Sequence, residues 1–250
     1  MADLPAFCFY KEFDPEPAKE IVFDRHYLLY AAKGSMRFET DAKSWVLPPS
    51  QAAWIVANRP VIIDMPRPIT CCSVLFATDF ISAPTDSCTI FEVTPLAREM
   101  ILACRKWGPE LTQLAPDDMQ FFSTLANVCN DLAKTPSITW IPSGRSKTTK
   151  QAIEFTRKHL NQDISFDDIA KASGASTRTL ARRFADETNF TWRQLQRRMR
   201  MISAIELLSD ETNSITTVAL NVGYKSVSAF NAAFKEFTHK SPSEYRKFTH

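Results

Sequence analysis

Two arginines in the stretch Ala175–Phe184, ASTRTLARRF, have a spacing suited to DNA recognition. Arg178 and Arg182 are four residues apart, so on a helix their side chains would share one face. Arginine is the side chain best shaped to contact guanine O6 and N7 together, and small neighbours such as Ala181 would let the helix approach the bases. The alternative is a helix whose basic face is merely solvated, which a lone Arg-x-x-x-Arg pair would favour.

The helices that would position these arginines follow a pattern that occurs twice. In the first copy, Ile169-Ala170 lie on a short helix, Gly174 makes a turn, and the next helix has Leu180 and Phe184 on its inner face. The second copy has the same order of residue types, in Val218-Ala219, Gly223, Phe230 and Phe234. A short helix, a tight glycine turn and a second helix with core residues four apart form a helix-turn-helix. The repetition favours a recognition face over a merely solvated one.

The chain after about Thr148 is predicted to be helical throughout. Three helix starts have the spacing of a capping box, at Ser165 with Asp168, Thr191 with Gln194, and Ser241 with Glu244. The expected helices cover residues 148–160, 166–173, 177–188, 191–209, 215–221, 227–237 and 242–247. The two helix-turn-helix units are therefore expected at about 166–188 and 215–237.

The predicted helix 191–209 separates the two units. At about 1.5 Å per residue it would be roughly 28 Å long, close to the roughly 34 Å between successive major-groove faces. Two recognition helices at this separation could enter adjacent turns on one side of a duplex. Basic residues on this helix and beyond it suit phosphate contacts or plain solvation, and the candidates are Arg193, Arg197, Arg198 and Lys225.

Basic residues are concentrated in the second half of the chain. The formal net charge is +2, but residues 1–142 carry 12 basic and 17 acidic side chains, whereas residues 143–250 carry 18 and 11. A basic half joined to an acidic half indicates that one part meets a polyanion. We place the domain boundary between residues 142 and 143, within the Pro-, Ser- and Thr-rich stretch Thr135–Lys147, which is expected to be a linker.

The first half has the alternating pattern of β-strands. From Ile21 to about Val93, β-branched and aromatic residues form short alternating runs such as Met36–Thr40 and Ser44–Leu47, separated by prolines and turn residues. This pattern predicts an antiparallel meander or barrel. Two helices are expected to follow, one from Thr94-Pro95 to about Trp107 and one from Pro116 with Phe122, Leu125, Cys129 and Leu132 along one side.

Signals for catalysis and for membranes are missing from the sequence. The six cysteines are scattered without a C-x-x-C pair and are expected to behave as small buried residues in a reducing cytoplasm. No stretch approaches the roughly 18 apolar residues that would span a bilayer, and no signal peptide is visible. Because no nucleophile–base pair, phosphate loop or metal-ligand set is visible either, we expect a cytoplasmic binding protein, not an enzyme, without a cofactor.

Residues 165–246 resemble the tandem helix-turn-helix domain of the AraC/XylS family of bacterial transcription regulators. The shared landmarks are Ile169-Ala, Ser173-Gly, Leu180-x-Arg-x-Phe184, Ile215-x-x-Val-Ala, Val222-Gly-Tyr224, Ser226-x-Ser-x-Phe230, Phe234-Lys and Ser241-Pro-x-x-Tyr-Arg246. The resemblance implies two sets of base-facing residues: Thr177, Arg178, Ala181 and Arg182 on the first recognition helix, and Val227, Ser228, Asn231 and Ala232 on the second.

Three positions depart from the family pattern. Asn189 stands where a glycine often follows the first recognition helix, and asparagine tolerates the left-handed conformation that a helix end requires. His239 stands where another glycine is usual and is less suited to that conformation. Ala232 occupies a position where many members have arginine, so the second unit is expected to contact bases more weakly.

Residues 26–107 resemble the cupin-like barrel of one group of these regulators. The likeness lies in Leu28-Leu-Tyr-Ala-Ala-x-Gly34, Trp45-x-x-Pro-Pro49, Ala53-Trp-Ile55 and Phe91-Glu-Val-x-Pro-Leu96. Ile21-Val22-Phe23 replace the usual H-x-H, and Val61 stands where a further histidine is common, so no metal is expected. His26 could respond to pH or be a satisfied core histidine.

The barrel is expected to regulate the DNA-binding half. A retained pocket would be apolar and take a small apolar effector, with Phe23, Tyr30, Met36, Trp45 and Trp54 as candidate lining. The alternative is that the barrel docks a regulatory protein. The Pro95 and Pro116 helices are candidates for homodimer contacts, again by resemblance.

The predicted fold class is α+β, with an N-terminal antiparallel cupin-like barrel, two following helices and a C-terminal all-α tandem helix-turn-helix domain. Residues 1–142 would form the regulatory and dimerisation domain and residues 143–250 the DNA-binding domain. We expect a sequence-specific regulator of promoter DNA, an activator rather than a repressor, that contacts RNA polymerase. The alternatives are a weakly specific architectural DNA binder and a cupin enzyme with a DNA-binding tail, which the absent histidines disfavour.

Overall fold

The computed structural model describes residues 4–41, 43–84 and 86–249, with side chains as far as Lys247. These residues form two compact units. The first contains the chain up to Thr40 and Val46–Ile138, and the second contains Asp41–Trp45 and the chain from Thr139 onward. The predicted boundary between residues 142 and 143 lies just after the break at Ile138.

The first unit is built on antiparallel strands. One sheet has the order β1-β8-β3-β6-β9, where β1 is Ala6–Phe13, β3 is His26–Lys33, β6 is Gln51–Ile55, β8 is Ile69–Phe76 and β9 is Cys88–Glu92. A second group of strands has β7 (Val61–Met65) between β2 (Glu16–Ile21) and β4 (Met36–Thr40). The predicted antiparallel β architecture is confirmed.

Alternation along the first sheet separates two faces. Leu28, Tyr30 and Trp54 belong to a buried cluster that also contains Phe76 of β8 and Phe122 of the helix Pro116–Ala133. The Trp54 and Phe76 rings meet edge to face with centroids 5.2 Å apart. Because neighbouring residues of a strand point to opposite faces, Tyr27 and Leu29 face the other side of this sheet.

The two predicted helices are present, and they cover the sheet face that contains Leu28, Tyr30 and Trp54. The helix α1 (Pro95–Ala103) begins at Thr94, whose hydroxyl accepts from the Ala97 amide, and it passes into a 3-10 turn at Cys104–Lys106. The helix α2 (Pro116–Ala133) buries Phe122, Leu125 and Cys129. Its Asn130 side chain accepts a hydrogen bond from the Trp54 indole, so the buried indole N–H is satisfied.

The second unit is mostly helical, and its helices begin and end within a few residues of the predicted positions. They are α3 (Lys147–Lys158), α4 (Phe166–Ala172), α5 (Thr177–Thr188), α6 (Trp192–Leu208), α7 (Ile215–Asn221), α8 (Val227–Thr238) and α9 (Pro242–Thr249). The capping boxes at Ser165 and Thr191 both form, and the Ser241 amide donates to the Glu244 carboxylate at 2.7 Å. The predicted fold class is therefore confirmed for both halves.

Three strands were not predicted. The expected sheet began at Ile21, yet β1 and β2 precede it, with β1 paired along its whole length with β8. The predicted linker contains β10 (Trp140–Pro142), which pairs with Lys43, Ser44 and Trp45 of β5 (Lys43–Leu47). The strands β2 and β10 leave little local signal, because each is short, contains proline and is stabilised by a partner distant in sequence.

Candidate nucleic-acid interface

The first recognition helix, α5, separates its core residues from its predicted base contacts. Leu180 and Phe184 are buried on one side. The four predicted base-facing residues are all exposed: Thr177, Arg178, Ala181 and Arg182. The helix starts at Ser176, whose hydroxyl accepts from the Thr179 amide at 3.2 Å. The structure thus brings the four together on the side of α5 that faces away from the core.

Arg178 and Arg182 differ from their neighbour Arg183 in their hydrogen-bond partners. Within the described residues, neither Arg178 nor Arg182 has a hydrogen-bond or ion-pair partner, so both are available to an external ligand. Arg183 instead donates to the Thr148 hydroxyl at 3.1 Å and thereby links α5 to α3. Basic residues next to each other in the sequence therefore have different surroundings.

The turn before α5 requires a glycine. Gly174 has φ of 65°, in the left-handed region. The turn is closed by the Ala175 amide, which donates to the Ala170 carbonyl at 3.0 Å. At the other end of α5, Asn189 is left-handed with φ of 58°, as predicted. The helix thus has a defined end on both sides.

The second recognition helix, α8, has the same plan with a different surface. Phe230 and Phe234 are buried, while Ser228, Asn231 and Ala232 are exposed. Val227, the fourth predicted base contact, is half-buried and packs against the core beneath α8, so only part of its side chain can meet DNA. No charged group lies among these four positions.

The predicted phosphate contacts have three kinds of surroundings. Arg193 is exposed. Arg197 pairs with Glu236 at 2.6 Å and Lys225 with Asp163 at 3.5 Å, all at the surface. Exposed ion pairs contribute little free energy, so these two cations can exchange their partner for a phosphate.

The structure does not support the predicted phosphate contact of Arg198, because this side chain is half-buried and hydrogen-bonded within the protein. Its Nε donates to the Trp140 carbonyl at 2.6 Å, and burial lowers its pKa to about 10. This arrangement does not suit a contact with DNA phosphate. All four cations were predicted to have the same role because the sequence pattern alone does not distinguish a solvated arginine from one that is covered by distant aromatic residues.

An acidic residue closes the start of α3. The Glu187 carboxylate accepts from the Arg145 amide at 2.7 Å and from the Ser146 amide at 2.8 Å. Partial burial alone would raise its pKa, but the hydrogen bonds from Ser146 and Arg145 outweigh burial and lower the pKa to about 2. This contact was not predicted, because Glu187 lies 42 positions from Arg145 and 41 from Ser146 and the pairing leaves no local signal in the sequence.

A cavity of about 390 Å³ lies inside the first unit. Phe23 and Met36, two of the predicted lining residues, contribute to its wall. Tyr30 and Trp54 do not, because they project from the opposite face of the sheet, and Trp45 lies on β5 opposite Trp140. The strand parity was assigned incorrectly for Tyr30 and Trp54.

The wall of the cavity also contains aromatic residues that were not predicted to line it. Phe7, Phe9 and Phe13 come from β1, which was not predicted, and Tyr27 comes from β3. Alternating apolar residues in Ala6–Phe13 are the signal that could have revealed the strand. Lys19 and Glu16 on β2 also border this mostly apolar cavity.

The remaining candidate groups of the first unit are satisfied internally. His26 is buried and its Nδ1 accepts from the Ala57 amide at 3.2 Å, while burial lowers its pKa. This fits the expected core histidine rather than a pH-responsive group. Five of the six thiols are buried, and none of the six cysteines forms a disulfide. The part of the chain that the structure describes holds no group of three or more His, Cys, Asp or Glu that could bind a metal ion.

None of the described helices is long and apolar enough to cross a membrane.

A family profile described as a helix-turn-helix domain matches residues 169–247. The chain is 24% identical over 242 residues to the transcriptional regulator NimR of Escherichia coli, covering 96% of this chain and 86% of NimR. It also matches, at 28% identity, an uncharacterized HTH-type transcriptional regulator of Staphylococcus aureus, of whose length it spans 13%.

Similar solved structures include both whole-length and partial matches. ToxT from Vibrio cholerae is 14% identical, with 98% of each chain covered and a TM-score of 0.41. The C-terminal domain of AraT, a response regulator from Geobacillus stearothermophilus, is 32% identical, with 41% of this chain and 85% of that chain covered and a TM-score of 0.38.

The regulatory protein SoxS of Salmonella typhimurium matches the second unit over nearly its own full length. It is 34% identical over 95 residues, which are 38% of this chain and 88% of SoxS. The tandem helix-turn-helix geometry and the profile match over residues 169–247 agree with that identity. The chain belongs to the AraC family of DNA-binding transcription regulators.

Proposed function

We propose that this regulator binds promoter DNA sequence-specifically, with α5 and α8 in adjacent major grooves. The observation that carries the proposal is the surface of α5, where Thr177, Arg178, Ala181 and Arg182 are all exposed while Leu180 and Phe184 are buried. These two guanidinium groups, one turn apart and without a partner among the described residues, can each contact a guanine in the major groove. The helix between the units, α6, has 17 residues, which corresponds to about 26 Å and supports placement of the two helices in successive grooves.

The two recognition helices are expected to contribute unequally. α5 offers two arginines, whereas α8 offers the shorter polar side chains Ser228 and Asn231 next to Ala232. Asparagine can contact adenine through N6 and N7, and an alanine methyl can contact the thymine methyl. The operator would therefore contain a strongly selected patch opposite α5 and a weaker one opposite α8.

Regulation through the first unit is the second part of the proposal. The cavity of about 390 Å³ is lined mainly by apolar side chains, among them Phe7, Phe23 and Met36. A preformed apolar cavity of this size suits a small apolar effector. α1 would contribute to a homodimer contact, since its apolar residue Leu96 is 64% exposed. Activation would proceed through contact with RNA polymerase.

Selection of full-length protein against a random duplex pool at near-physiological salt tests sequence-specific binding. We expect a motif with two patches about 10 base pairs apart. Recovery of no motif, together with affinity that falls steeply with salt, would support the weakly specific architectural alternative instead.

A thermal-shift screen with apolar small molecules tests the effector. A stabilising compound should lose its effect in the variant Met36→Arg, which would fill the cavity with charge, and keep it in Trp45→Phe, which lies outside the cavity. Absence of a shift with every compound would favour a docked regulatory protein. Light scattering that finds only monomers would contradict the proposed homodimer. Transcription in vitro with purified RNA polymerase distinguishes activation from repression.

A further inference from the structure

The guanidinium group of Arg198 lies among three aromatic rings from three separate segments. Its Cζ is 4.9 Å from the centre of Trp140, 5.4 Å from Phe190 and 5.5 Å from Phe237. Its Nε also donates to the Trp140 carbonyl at 2.6 Å. The Trp140 and Phe190 rings contact each other with centroids 5.8 Å apart. We call this group of four residues the Arg198 cluster.

The cluster joins the far ends of both recognition helices. Phe190 follows Asn189, the residue that ends α5, and Phe237 lies in the last turn of α8. Arg198 itself is on α6, which connects the two helix-turn-helix units. One side chain on the connecting helix therefore contacts a residue at the end of each helix-turn-helix unit, and a displacement of either helix-turn-helix unit would disturb its ring contacts.

Arginine is particularly suited to this position. Its planar guanidinium stacks on aromatic faces and donates at the same time to a carbonyl, which the ammonium group of lysine does not reproduce. Burial lowers the pKa of Arg198 to about 10, so the group stays charged at neutral pH. A partly desolvated cation interacts more strongly with aromatic rings than an exposed one.

A second contact restrains the same pair of elements. Arg197, the preceding residue of α6, donates to Glu236 of α8 at 2.6 Å. This ion pair is exposed, with side-chain exposures of 50% and 70%, so it contributes little by itself. The Arg198 cluster is thus the more firmly packed of the two links between α6 and α8.

We propose that Arg198 is a positioning residue that sets the separation and rotation of the two recognition helices, so that the protein discriminates operators by the spacing of their two half-sites. The inference rests on the proposed function, in which α5 and α8 bind adjacent grooves. Adding one base pair between the half-sites increases their separation by about 3.4 Å and rotates one by about 35° relative to the other. A rigid pair of helices cannot follow that change, whereas a loosened pair can.

The test uses full-length protein and the selected operator in three versions, with its own spacing and with one base pair added or removed. Affinity for each is measured for the wild type, Arg198→Met, Arg198→Lys and the control Arg193→Met. Arg193 lies on the same helix but is exposed. Methionine keeps an unbranched apolar stem, and lysine keeps the charge without the planar group.

The wild type should prefer its own spacing by about tenfold or more, the effect of at least one lost base contact. Arg198→Met and Arg198→Lys should reduce this preference to about threefold or less, while affinity for the isolated first half-site stays within about twofold. Arg193→Met should weaken all three operators by a similar factor, since loss of a phosphate contact is independent of spacing.

An unchanged spacing ratio in folded Arg198→Met, or a uniform loss on all three operators, would overturn the inference. Should Arg198→Met fail to fold by circular dichroism, Trp140→Leu and Phe237→Leu remove one ring each and are expected to lower the ratio. Unchanged ratios in both would also overturn it. Failure of the wild type to select any two-part motif would instead contradict the proposed function, so the two failures are distinguishable.

Discussion

The two helix-turn-helix units share a scaffold but differ in the surface that they present. Their core residues are fifty positions apart: Leu180 and Phe184 on α5 correspond to Phe230 and Phe234 on α8. Both turns contain a left-handed glycine, Gly174 or Gly223. The backbone plan is therefore repeated at the level of turns and core positions.

The ends of the recognition helices are built in the same way. The hydroxyl of Thr188 donates to the Phe184 carbonyl at 2.6 Å, and that of Thr238 donates to the Phe234 carbonyl at 2.9 Å. A left-handed residue follows each threonine, and the next helix begins shortly afterwards at a hydroxyl residue. Local hydrogen bonding of this kind fixes where each helix stops.

The outward positions do not follow this repetition. Arg178 and Arg182 correspond to Ser228 and Ala232, so the arginine face of α5 has no charged counterpart at these positions on α8. Glu187, which binds the start of α3, corresponds to Phe237, which contacts Arg198. The buried scaffold positions and the proposed recognition positions are therefore different residues of the same helix, so one set can change while the other is kept.

Truncation of the equivalent core phenylalanines should produce the largest effects and should affect both units alike. Phe184→Ala and Phe234→Ala each remove a fully buried ring, which typically lowers the free energy of unfolding by about 3–5 kcal/mol. Urea denaturation followed by circular dichroism measures the loss. A small loss in one variant would show that the two cores are not equivalent, and the exposed Ala185→Ser serves as the control.

Substitutions at the predicted base contacts should affect DNA binding differently in the two helix-turn-helix units. Arg182→Ala should weaken binding by about 1–3 kcal/mol and relax specificity at one base position. Asn231→Ala should have a smaller effect, because α8 presents no charged group at the four predicted base contacts. Selection followed by affinity measurements on single-base operator variants gives both values. A uniform loss on all sequences in Arg182→Ala would identify Arg182 as a phosphate contact instead.

The left-handed residues after the recognition helices should differ in strain. His239 has φ of 60° and Asn189 has φ of 58°. Histidine is less suited to this conformation than asparagine, so His239→Gly should raise the free energy of unfolding by up to about 1 kcal/mol and Asn189→Gly by a few tenths at most. Thermal unfolding of the two variants measures the difference. Equal shifts would show that the His239 side chain relieves the strain through its surroundings.

Acid should weaken the second unit through Glu187. Its folded-state pKa of about 2 is below the usual value of 4.5, so its stabilising contribution is present above pH 4.5 and is lost as the pH falls towards 2. Wild type should therefore exceed Glu187→Gln in stability near neutral pH, and the gap should narrow below pH 4.5. Denaturant unfolding of both proteins across this range measures it. A gap that does not change with pH would mean that the carboxylate charge contributes nothing.

The sequence predicted the helices of the second unit well because their signals are local. Capping residues such as Ser165 and Thr191, turn glycines such as Gly174 and core residues four apart lie within one or two turns of the structure that they specify. The exposed set on α5 followed from the same periodicity. The strands β2 and β10 escaped prediction because they are short, contain proline and are stabilised by partners far away in the chain, whereas the alternating apolar residues of β1 do carry a local signal.

By itself, the sequence determined where helices begin and end, which side of α5 faces outward and that a basic helical half follows an acidic β-rich half. Only the tertiary structure decided which of the cations on α6 are available, since Arg198 is covered by rings from three distant segments while Arg193 is exposed. It also decided that Phe23 faces the cavity while Tyr30 and Trp54 do not. The physical reason is that helix caps and periodicity act over a few residues, whereas burial depends on which distant segments pack together.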